Sequence, residues 1–460
     1  MAGSNLHLHL LLSLQSLKTT DQSPRNFNLT TLKSTAYRTH TLFPHATDPT
    51  AQVFRTDYLV VLAEKFSSNQ NHHIVLPVFA LEASLYSLHS ASIGLLYISK
   101  IDTTGLAPLP APSGLLTIAF INYFLLHPQK SCQNLRIHIF ARAAREGQYL
   151  FPGSAENVLG GSGDGAPQNF ENHKFGKRIL DDQQLIKWWH KILSKILIQF
   201  NQSNQKHLLG FYILPGFDQD ESRDILPIPP NLKSLWNYGH PYHSIPSIFS
   251  SGHPSDPISD LIPAFADDPK ARFLHSLANS STNPAGEPGD WDDAINERST
   301  VALEADRARE RSRMNHVSVN EFWERMGGRQ ECCDGRVSAF FVLFTPSTNP
   351  QNSNSGENQK SNHQINGLNS RNLSSGLSDE PRMRLIGVPR NVWVSLWSKI
   401  HNQDYSKSDA AAKGYCQWIE DLQACFNSII SGLKSNPTPT DADTFTALHQ
   451  KETFCFHSSI

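Results

Sequence analysis

Two adjacent carboxylates stand beside a lysine in the otherwise largely apolar stretch from Leu261 to Leu277, where Asp267 and Asp268 precede Pro269 and Lys270. Burying such charges is costly unless they pair, and a carboxylate beside a lysine in an apolar setting can position a proton transfer. The same spacing fits the start of a helix, with Asp267 or Asp268 as the N-cap and Pro269 at the first helical position. From spacing alone the helix cap is the favoured interpretation, with proton-transfer chemistry as the alternative.

A second group of polar residues follows a predicted strand. The run Leu95–Gly105 begins with apolar residues and ends in Asp102, Thr103 and Thr104. Polar residues at strand ends often form sites in α/β folds, because the rigid sheet positions them. A turn in which the Asp102 carboxylate binds nearby backbone N–H groups explains the same residues equally well.

Other patterns that suggest chemistry fail on their spacing. The glycine-rich run at 160–165 does not match G-x-G-x-x-G, so we predict a loop and no phosphate cradle. His240, His243 and His253 have no cysteine or carboxylate at a recognised ligand spacing, so we predict no metal site. The chain also lacks G-x-S-x-G, P-loop and kinase signatures, which argues against a hydrolase, an NTPase and a kinase.

Short apolar runs predict the strands that would hold these residues. Their near-continuous hydrophobicity is typical of strands buried on both faces, and we expect helices to separate them. The predicted fold class is therefore α/β, with a central mixed sheet flanked by helices. The runs are Tyr58–Ala63, Ile74–Phe79, Leu95–Ser99, Arg136–Phe140, Leu208–Ile213 and, returning late to the same sheet, Ser338–Phe344.

Helical patterns are clearest outside these runs. Apolar residues recur at helical spacing from Asp181 to Phe200, behind two aspartates that favour a helix N-terminus. Trp393 and Trp397 predict a helix within 383–402, and another is expected over 410–433. The run at 6–14 imitates a signal-peptide core but lacks a basic start and a cleavage site, so we predict a short amphipathic helix.

Composition excludes several classes of protein. The 460 residues carry a formal net charge of -2 and are 39% hydrophobic, which excludes a strongly basic nucleic-acid binder and wholesale disorder. No run approaches the 18 or so apolar residues that suggest a membrane span, so we expect a soluble protein without a membrane partner. Six cysteines without a C-x-x-C pair indicate a reducing compartment.

Seven blocks, in order, resemble the fungal histone acetyltransferases of the regulator-of-Ty1-transposition family, which are related in fold to the CREB-binding-protein acetyltransferases. A single block would be weak evidence, but seven in sequence over about 54–430 are specific. The blocks are Tyr97–Gly105; Ile139–Arg142 with Gln148–Asn157; Lys177–Asp182 with Leu185–Trp189; Leu214–Gly216; Trp236 with Gly239–Pro241; Asp267–Leu274; and Phe322–Arg325 with Arg329–Cys332.

The resemblance implies transfer of an acetyl group from acetyl-CoA to lysines of histone H3, in complex with H4. The expected targets are mainly the core lysine near the DNA entry point and also tail lysines. It implies histone chaperones of the anti-silencing and nucleosome-assembly types as partners. It also implies a nuclear location, although no localisation signal is visible, and no direct sequence-specific binding of nucleic acid.

Residue by residue, the resemblance assigns the active site. A lysine amine must lose a proton before it attacks a thioester, and Asp102, Asp267 or Asp268 could accept that proton or simply attract the cationic target. Positioning alone can lower such a barrier by roughly 7–11 kcal/mol, so a dedicated base need not be essential. The matching positions are Asp102, Trp236, Tyr212, Asp267 and Asp268.

The resemblance also assigns a modified lysine and a cofactor wall. Lys270 matches the buried lysine that the family acetylates on itself, and Phe140, Ala141 and Arg142 match the wall that holds the CoA arm. Acetylation of Lys270 would remove a positive charge beside the acidic pair and make the site more attractive to a substrate lysine.

Charge is segregated along the chain in a way that suits this chemistry. Residues 130–206 carry 11 Lys and Arg against six Asp and Glu, a net +5, in the region expected to face the anionic CoA. Residues 218–310 carry seven Lys and Arg against 16 Asp and Glu, a net -9, around the acidic pair.

Two other functions are alternatives to histone acetylation. They are a catalytically inactive histone- or chaperone-binding module of the same fold and a small-molecule acyltransferase.

Composition and the resemblance together divide the chain into five predicted parts. They are an N-terminal, partly ordered segment over 1–53, a catalytic domain over 54–345, a disordered Asn- and Ser-rich insertion over 346–380, a helical part packed on the catalytic domain over 381–433, and a flexible tail over 434–460.

Overall fold

One ten-stranded sheet organises the chain. The computed structural model describes residues 5–16, 25–46, 52–67, 73–88, 92–109, 111–145, 147–158, 175–203, 207–242, 256–278, 308–329, 336–345, 387–435 and 456–459. The strands are β1 (Asn26–Lys33), β2 (Tyr37–Thr39), β3 (Val53–Ser67), β4 (His73–Leu88), β5 (Ile93–Thr103), β6 (Asn134–Ala141), β7 (Leu209–Ile213), β8 (Trp236–Tyr238), β9 (Ala339–Phe344) and β10 (Phe456–Ser459).

Helices lie between and after these strands. They are α1 (Leu6–Gln15), α2 (Ser113–Leu126), α3 (Asp182–Ser203), α4 (Gln219–Ile225), α5 (Ile258–Leu261), α6 (Pro269–Ala278), α7 (Val319–Gly327), α8 (Arg390–His401) and α9 (Ser408–Ser435). Residues 308–314 are also helical. The helices predicted from Asp181, around Trp393 and over 410–433 are confirmed as α3, α8 and α9.

The strand order is β10-β1-β3-β4-β5-β6-β9-β7-β8, with β2 paired to β3. All six predicted strands lie within this sheet, and the mixed sheet is confirmed. The expectation that helices separate the first three runs is wrong, because β3, β4 and β5 pair antiparallel as successive neighbours. Antiparallel neighbours need only a short connection, whereas the parallel pair β5–β6 needs a crossover, which contains α2.

The parallel strands β5 and β6 diverge. Their pairing ends at Ile98 and Ile139, although β5 continues to Thr103 and β6 continues to Ala141. Beyond that point β5 stays with β4, after a register shift beside Glu82, while β6 stays with β9. A gap therefore opens between the carboxyl ends of the two strands, the end of a parallel pair where ligands commonly bind.

Helices cover both faces of the sheet. Tyr58 on β3 packs edge-on against Phe124 of α2, with ring centroids 5.3 Å apart. The next residue of β3, Leu59, pairs with Glu82 and points to the opposite face. There Trp397 of α8 donates a hydrogen bond to Glu82 Oε2 at 3.0 Å. The C-terminal helices are therefore packed on the sheet.

The apolar run near the start forms α1, the short helix that was predicted there. Leu6, Leu10 and Leu14 are buried on one side of it, while Leu8 and Leu12 are exposed. No helix in the described ranges combines the length and apolarity needed to cross a bilayer.

Both ends of the chain differ from the predicted division. The segment assigned to 1–53 contains β1, which pairs with β3 along its whole length and so belongs to the main sheet. A flexible tail was expected from residue 434, but residues 456–459 form β10 and pair antiparallel with β1. Backbone pairing to an edge strand gives this short segment its order. The expected insertion at 346–380 and the glycine-rich run at 160–165 lie outside the described residues.

Candidate active site

A cleft of about 580 Å³ lies where β5 and β6 diverge. Strand β5 forms one wall, the loop after β6 forms another, and residues 176–180 with the first turns of α3 complete it. A volume of roughly 300–1,000 Å³ is typical of small-molecule sites. The lining residues that matter below are Asp102, Phe140, Arg142, Tyr149 and Lys177.

Asp102 lines this cleft and is already paired. Its Oδ1 accepts hydrogen bonds from Lys177 Nζ at 2.6 Å and from the backbone N–H of Thr103 at 2.8 Å. Its Oδ2 accepts one from the backbone N–H of Phe151 at 3.1 Å. Burial raises the pKa of Asp102, against the opposing effect of Lys177 and these backbone donors. The carboxylate therefore binds nearby backbone N–H groups, as the turn interpretation predicts, and it also lines the cleft, while its role in a site stays a prediction.

Lys177 joins the two walls of the cleft. Besides Asp102, its Nζ donates to Ser154 Oγ at 2.6 Å and lies 4.0 Å from the centroid of the Tyr149 ring. Burial lowers the pKa of Lys177, and Asp102 opposes that shift. Sequence reasoning assigned Lys177 no role. The available signal was its position in a block shared with the resembling family, just before α3.

Positive charge gathers at one side of the cleft. Burial lowers the pKa of Arg142, and the nearby guanidinium groups of Arg336, Arg145 and Arg272 lower it further. The loop that carries Arg142 is anchored because the N–H of Ala143 donates to Oδ1 of an aspartate at the start of α3, 2.7 Å away. Clustered arginines favour a polyanionic ligand over water.

The three residues predicted to form the cofactor wall differ in their access to the cleft, and their role stays a prediction. Phe140 and Arg142 line the cleft. Ala141 is fully buried and pairs with Ala339 of β9. Its side chain points away from the cleft because successive residues of β6 point to opposite faces. Two of the three predicted residues are therefore available to a ligand.

Asp268 and Lys270 form a fully buried ion pair away from the cleft lining. Asp268 is 0% exposed and Lys270 is 2% exposed, and Lys270 Nζ donates to Asp268 Oδ2. Asp268 Oδ1 also accepts from the backbone N–H of Lys270 at 2.9 Å, which caps the first turn of α6. Burial raises the pKa of Asp268, while Lys270 lowers it. The predicted helix cap and the predicted buried pair are the same structure.

Asp267 lies differently from its neighbour. It is exposed in the turn before α6, whereas Asp268 points into the protein. The two residues thus do not form one acidic pair facing a substrate. Increased attraction of a substrate lysine after acetylation of Lys270 cannot rest on both carboxylates, since one is sealed from solvent.

A small cavity of about 10 Å³ adjoins this ion pair. It is lined by Lys270, Asp268, His138, Trp323 and Phe340, with aromatic and apolar neighbours. Among the described residues, neither His138 Nε2 nor Trp323 Nε1 has a hydrogen-bond partner, although both are buried. Burial holds the pKa of His138 well below its usual value, and Lys270 reinforces that effect, so the ring is neutral at physiological pH.

Strand β6 connects the small cavity to the cleft. His138 and Phe140 lie on one face of the strand because side chains alternate along it. His138 lines the small cavity and Phe140 lines the cleft. Phe140 stacks on Phe340 at 4.8 Å, and Lys270 Nζ lies 4.3 Å from the Phe340 ring centroid. The buried lysine and the cleft are therefore separated by a pair of stacked aromatic rings.

Trp236 and Tyr212 lie in the core and line neither cavity. The Trp236 indole donates to Ser194 Oγ at 3.0 Å and packs against His190, with ring centroids 4.9 Å apart. Tyr212 is 1% exposed and contacts the Trp236 ring edge-on at 6.1 Å. Their catalytic assignment stays a prediction, and their contacts are those of packed core residues.

No cluster of three or more His, Cys, Asp and Glu suited to a metal ion occurs in the part of the chain that the structure describes. Of the three histidines considered from sequence, only His240 lies within that part, and it stacks on Tyr242 and Trp323.

Comparison with protein families gives the class to which this mixed sheet and its cleft belong. The family model for the KAT11-type histone acetyltransferase domain matches residues 111–421, which is well over half of the chain. The chain therefore belongs to the KAT11-type histone acetyltransferase family.

The names of individual relatives are more specific than the family description. The chain is 28% identical over 291 residues to a protein described as histone acetyltransferase rtt109 from Aspergillus flavus, a match that covers 58% of this chain and 44% of the relative. It is 24% identical over 271 residues to the protein of that description from Schizosaccharomyces pombe, covering 58% of this chain and 56% of the relative. The matches thus span about half the length of these curated relatives.

A solved structure supports the fold. The crystal structure of Rtt109 from Aspergillus fumigatus superposes with a TM-score of 0.62 at 23% identity, covering 92% of this chain and 96% of that one. At this identity the likeness concerns the fold alone.

Proposed function

We propose that this protein transfers the acetyl group of acetyl-CoA to lysines of histone H3. The observation that carries the proposal is the cleft between the diverging ends of β5 and β6, with Arg142 and its neighbouring arginines beside it. Family membership supplies the reaction class. The geometry supports an anionic co-substrate.

Three features of the cleft suit acetyl-CoA. Its volume of about 580 Å³ accommodates a cofactor-sized ligand. Beyond Ile98 and Ile139 the facing edges of β5 and β6 no longer bond each other, so backbone groups are available to the amides of the pantetheine arm. The arginines supply charge-assisted hydrogen bonds to phosphate groups.

Deprotonation of the target lysine is needed before attack, because an ammonium with a pKa near 10.4 is not nucleophilic. Asp102 is the predicted acid residue nearest the ligand space, yet its oxygens already accept three hydrogen bonds. We infer that Asp102 and Lys177 position the site as a pair, and that desolvation and alignment of the reactants provide most of the acceleration.

The finer features of the function follow the family resemblance. We propose that the main target is the H3 core lysine near the DNA entry point, with tail lysines as further targets. Chaperones of the anti-silencing and nucleosome-assembly types present the H3–H4 complex and stimulate the reaction. Lys270 is acetylated by the protein itself, and the protein acts in the nucleus. The buried position of Lys270 beside Asp268 is consistent with a single selected lysine.

Acetyl-CoA is incubated with the full chain and an H3–H4 complex, with and without each chaperone, and products are located by site-resolved mass spectrometry. We expect acetyl groups on H3 and on Lys270, with more on H3 when chaperone is present. Arg223→Gln, on the exposed surface of α4, is the matched control for a cleft variant, Arg142→Gln.

Other outcomes identify the alternatives. Binding of histone without acetyl transfer to H3 or Lys270 under every condition would mean an inactive binding module. Acetylation of free amines at rates indifferent to histone would mean a small-molecule acyltransferase.

A further inference from the structure

Lys177 is an amine inside the cleft that we assign to acetyl-CoA. Of the lysines in the described part of the chain, two line this cleft, Lys100 and Lys177. A neutral amine that faces a thioester is acetylated, because it is chemically the same group as a substrate lysine. A neutral Lys177 would therefore lead the protein to modify its own site.

The backbone around Lys177 holds this residue against the cleft. The N–H of Lys177 donates to the carbonyl oxygen of Asn157 at 2.5 Å, and the N–H of Gly176 donates to that of Gly105 at 3.0 Å. Gly105 has a φ of +77°, and a Cβ there would lie 2.8 Å from the Cβ of Lys177. Because the backbone is fixed on both sides, the contacts of Nζ decide whether the amine can react.

Three groups that attract an ammonium surround Lys177 Nζ. Asp102 Oδ1 and Ser154 Oγ each lie 2.6 Å away, and the centroid of the Tyr149 ring lies 4.0 Å away. An ammonium has three N–H bonds, so this environment suits the protonated form. A protonated amine has no lone pair and cannot attack a carbonyl carbon. Among the three groups, Asp102 alone is an anion.

Burial opposes the ammonium form. The Lys177 side chain is 5% exposed, and burial lowers the pKa of Lys177, while the charge and hydrogen bond of Asp102 raise it. Without the carboxylate, the effect of burial would be unopposed. Each unit by which the pKa falls increases the uncharged fraction about tenfold while most of the amine is protonated. Asp102 therefore determines whether this lysine is a nucleophile.

We propose that Asp102 protects Lys177 from acetylation by the acetyl-CoA bound beside it, because the carboxylate keeps the amine protonated. Lys177 is thus a latent acetylation site. When the carboxylate is lost, the ammonium gives one proton to water and the neutral nitrogen attacks the thioester carbon. The N–C bond forms, the C–S bond breaks, and a second proton leaves with the thiolate as CoA thiol. This inference rests on the proposed function, since it needs acetyl-CoA in the cleft.

The pairing lets the protein distinguish its own amine from that of a substrate. Lys177 is held charged by a carboxylate 2.6 Å away, whereas a substrate amine arrives without that partner and can lose its proton. Acetylation of Lys177 would be harmful in two ways. It would leave Asp102 buried without a cation, and it would fill part of the cleft with an acetyl group.

The test is site-resolved mass spectrometry of the full chain after incubation with acetyl-CoA in the absence of histone. We expect little acetylation of Lys177 in the parent chain and at least about tenfold more in Asp102→Asn. Asparagine has nearly the shape of aspartate without its charge, so access to the amine is preserved. No increase at Lys177 in the folded variant would overturn the proposal.

Ser154→Ala and Lys100 provide the controls. Ser154→Ala removes a neutral acceptor from Lys177 Nζ and keeps the carboxylate, so acetylation of Lys177 should stay near the parent value. Lys100 is half-exposed in the same cleft, and its acetylation reports a general loosening of the walls. An equal increase at Lys177 in Ser154→Ala, or at Lys100 in Asp102→Asn, would contradict protection by charge.

The protonation state of Lys177 is also measurable in the parent chain, without a destabilising substitution. In protein labelled with ¹⁵N-lysine, Lys177→Arg identifies the Nζ signal by its loss. We expect an ammonium signal at about pH 8, below the ordinary lysine pKa of about 10.4, and an amine signal there would overturn the proposal.

Acetic anhydride in place of acetyl-CoA tests the same pair without the cofactor site. We expect it also to acetylate Lys177 more in Asp102→Asn than in the parent chain. An increase with the anhydride but not with acetyl-CoA would support the protection of Lys177 and count against acetyl-CoA as the ligand of the cleft. An increase with neither reagent would overturn the protection itself.

Discussion

Lys177 Nζ lies 2.6 Å from Oδ1 of Asp102, so the carboxylate at the end of β5 is paired before a substrate enters. Both side chains are at least nine-tenths buried, and together they hold the loop at 149–158 against β5. Because the two opposite charges compensate each other, the desolvated cleft can contain two ionisable groups.

Removing one member of this pair should destabilise the protein more than removing both. We expect Lys177→Met to lower the free energy of unfolding by roughly 3–5 kcal/mol, because it leaves Asp102 buried and unpaired. The double variant Lys177→Met with Asp102→Asn should recover part of that loss. Urea denaturation of the three proteins measures the coupling. Additive losses would contradict the pairing.

Arg142→Gln should weaken acetyl-CoA binding with little effect on folding. Loss of a charge-assisted hydrogen bond is worth about 1.5–3 kcal/mol, so we expect KM for acetyl-CoA to rise by about one to two orders of magnitude. Measured binding should also depend less steeply on salt. Arg223→Gln, outside the cleft, should leave KM unchanged. An equal effect of both variants would show that Arg142 has no specific role in binding acetyl-CoA.

Asp268→Asn and Asp267→Asn should differ sharply although the residues are adjacent. With Lys270 unmodified, Asp268→Asn leaves a buried ammonium without its carboxylate and should cost roughly 3–5 kcal/mol of stability. Asp267→Asn changes an exposed turn residue and should stay within about 0.5 kcal/mol of the parent. Thermal and urea unfolding provide the comparison, and similar losses for the two would refute the buried assignment.

His190 should make the protein sensitive to acid. Burial lowers the pKa of His190 to about 4, so between pH 6.5 and 4 the unfolded chain binds a proton that the folded chain does not. Stability therefore falls as pH decreases through that interval, by up to about 1.4 kcal/mol per pH unit for one such histidine. His190→Gln should flatten the measured slope, whereas His207→Gln, at an exposed position, should leave it unchanged.

The sequence was sufficient for elements whose pattern is local. Apolar runs such as Tyr58–Ala63 predicted strands, and the spacing of Trp393 and Trp397 predicted a helix. The helix α2 was missed because it is buried nearly all round, so its residues show no polar face and no helical period. The antiparallel arrangement of β3 to β5 was missed because strands buried on both faces look alike in either orientation.

The site was predictable only where chemistry and local geometry coincide. The cap at Asp268 follows from the Asp-Pro-Lys spacing, but the burial of Asp268 and the exposure of Asp267 depend on how α6 packs. The Asp102–Lys177 contact joins residues far apart in sequence, and no local pattern reveals it. The role expected for Trp236 depended on resemblance, and its hydrogen bond to Ser194 arises from packing between β8 and α3.

The position of β9 bears on when the protein can work during synthesis. This strand, at residues 339–344, lies between β6 and β7, both made much earlier on the ribosome. Until β9 emerges, β6 and β7 each lack a partner strand along one edge. The loop that carries Arg142 therefore follows a strand that is not yet paired on both sides. Long-range insertion of this kind delays folding and leaves strand edges open to aggregation. We therefore expect a nascent chain that ends before β9 to need chaperone protection and to have no active cleft.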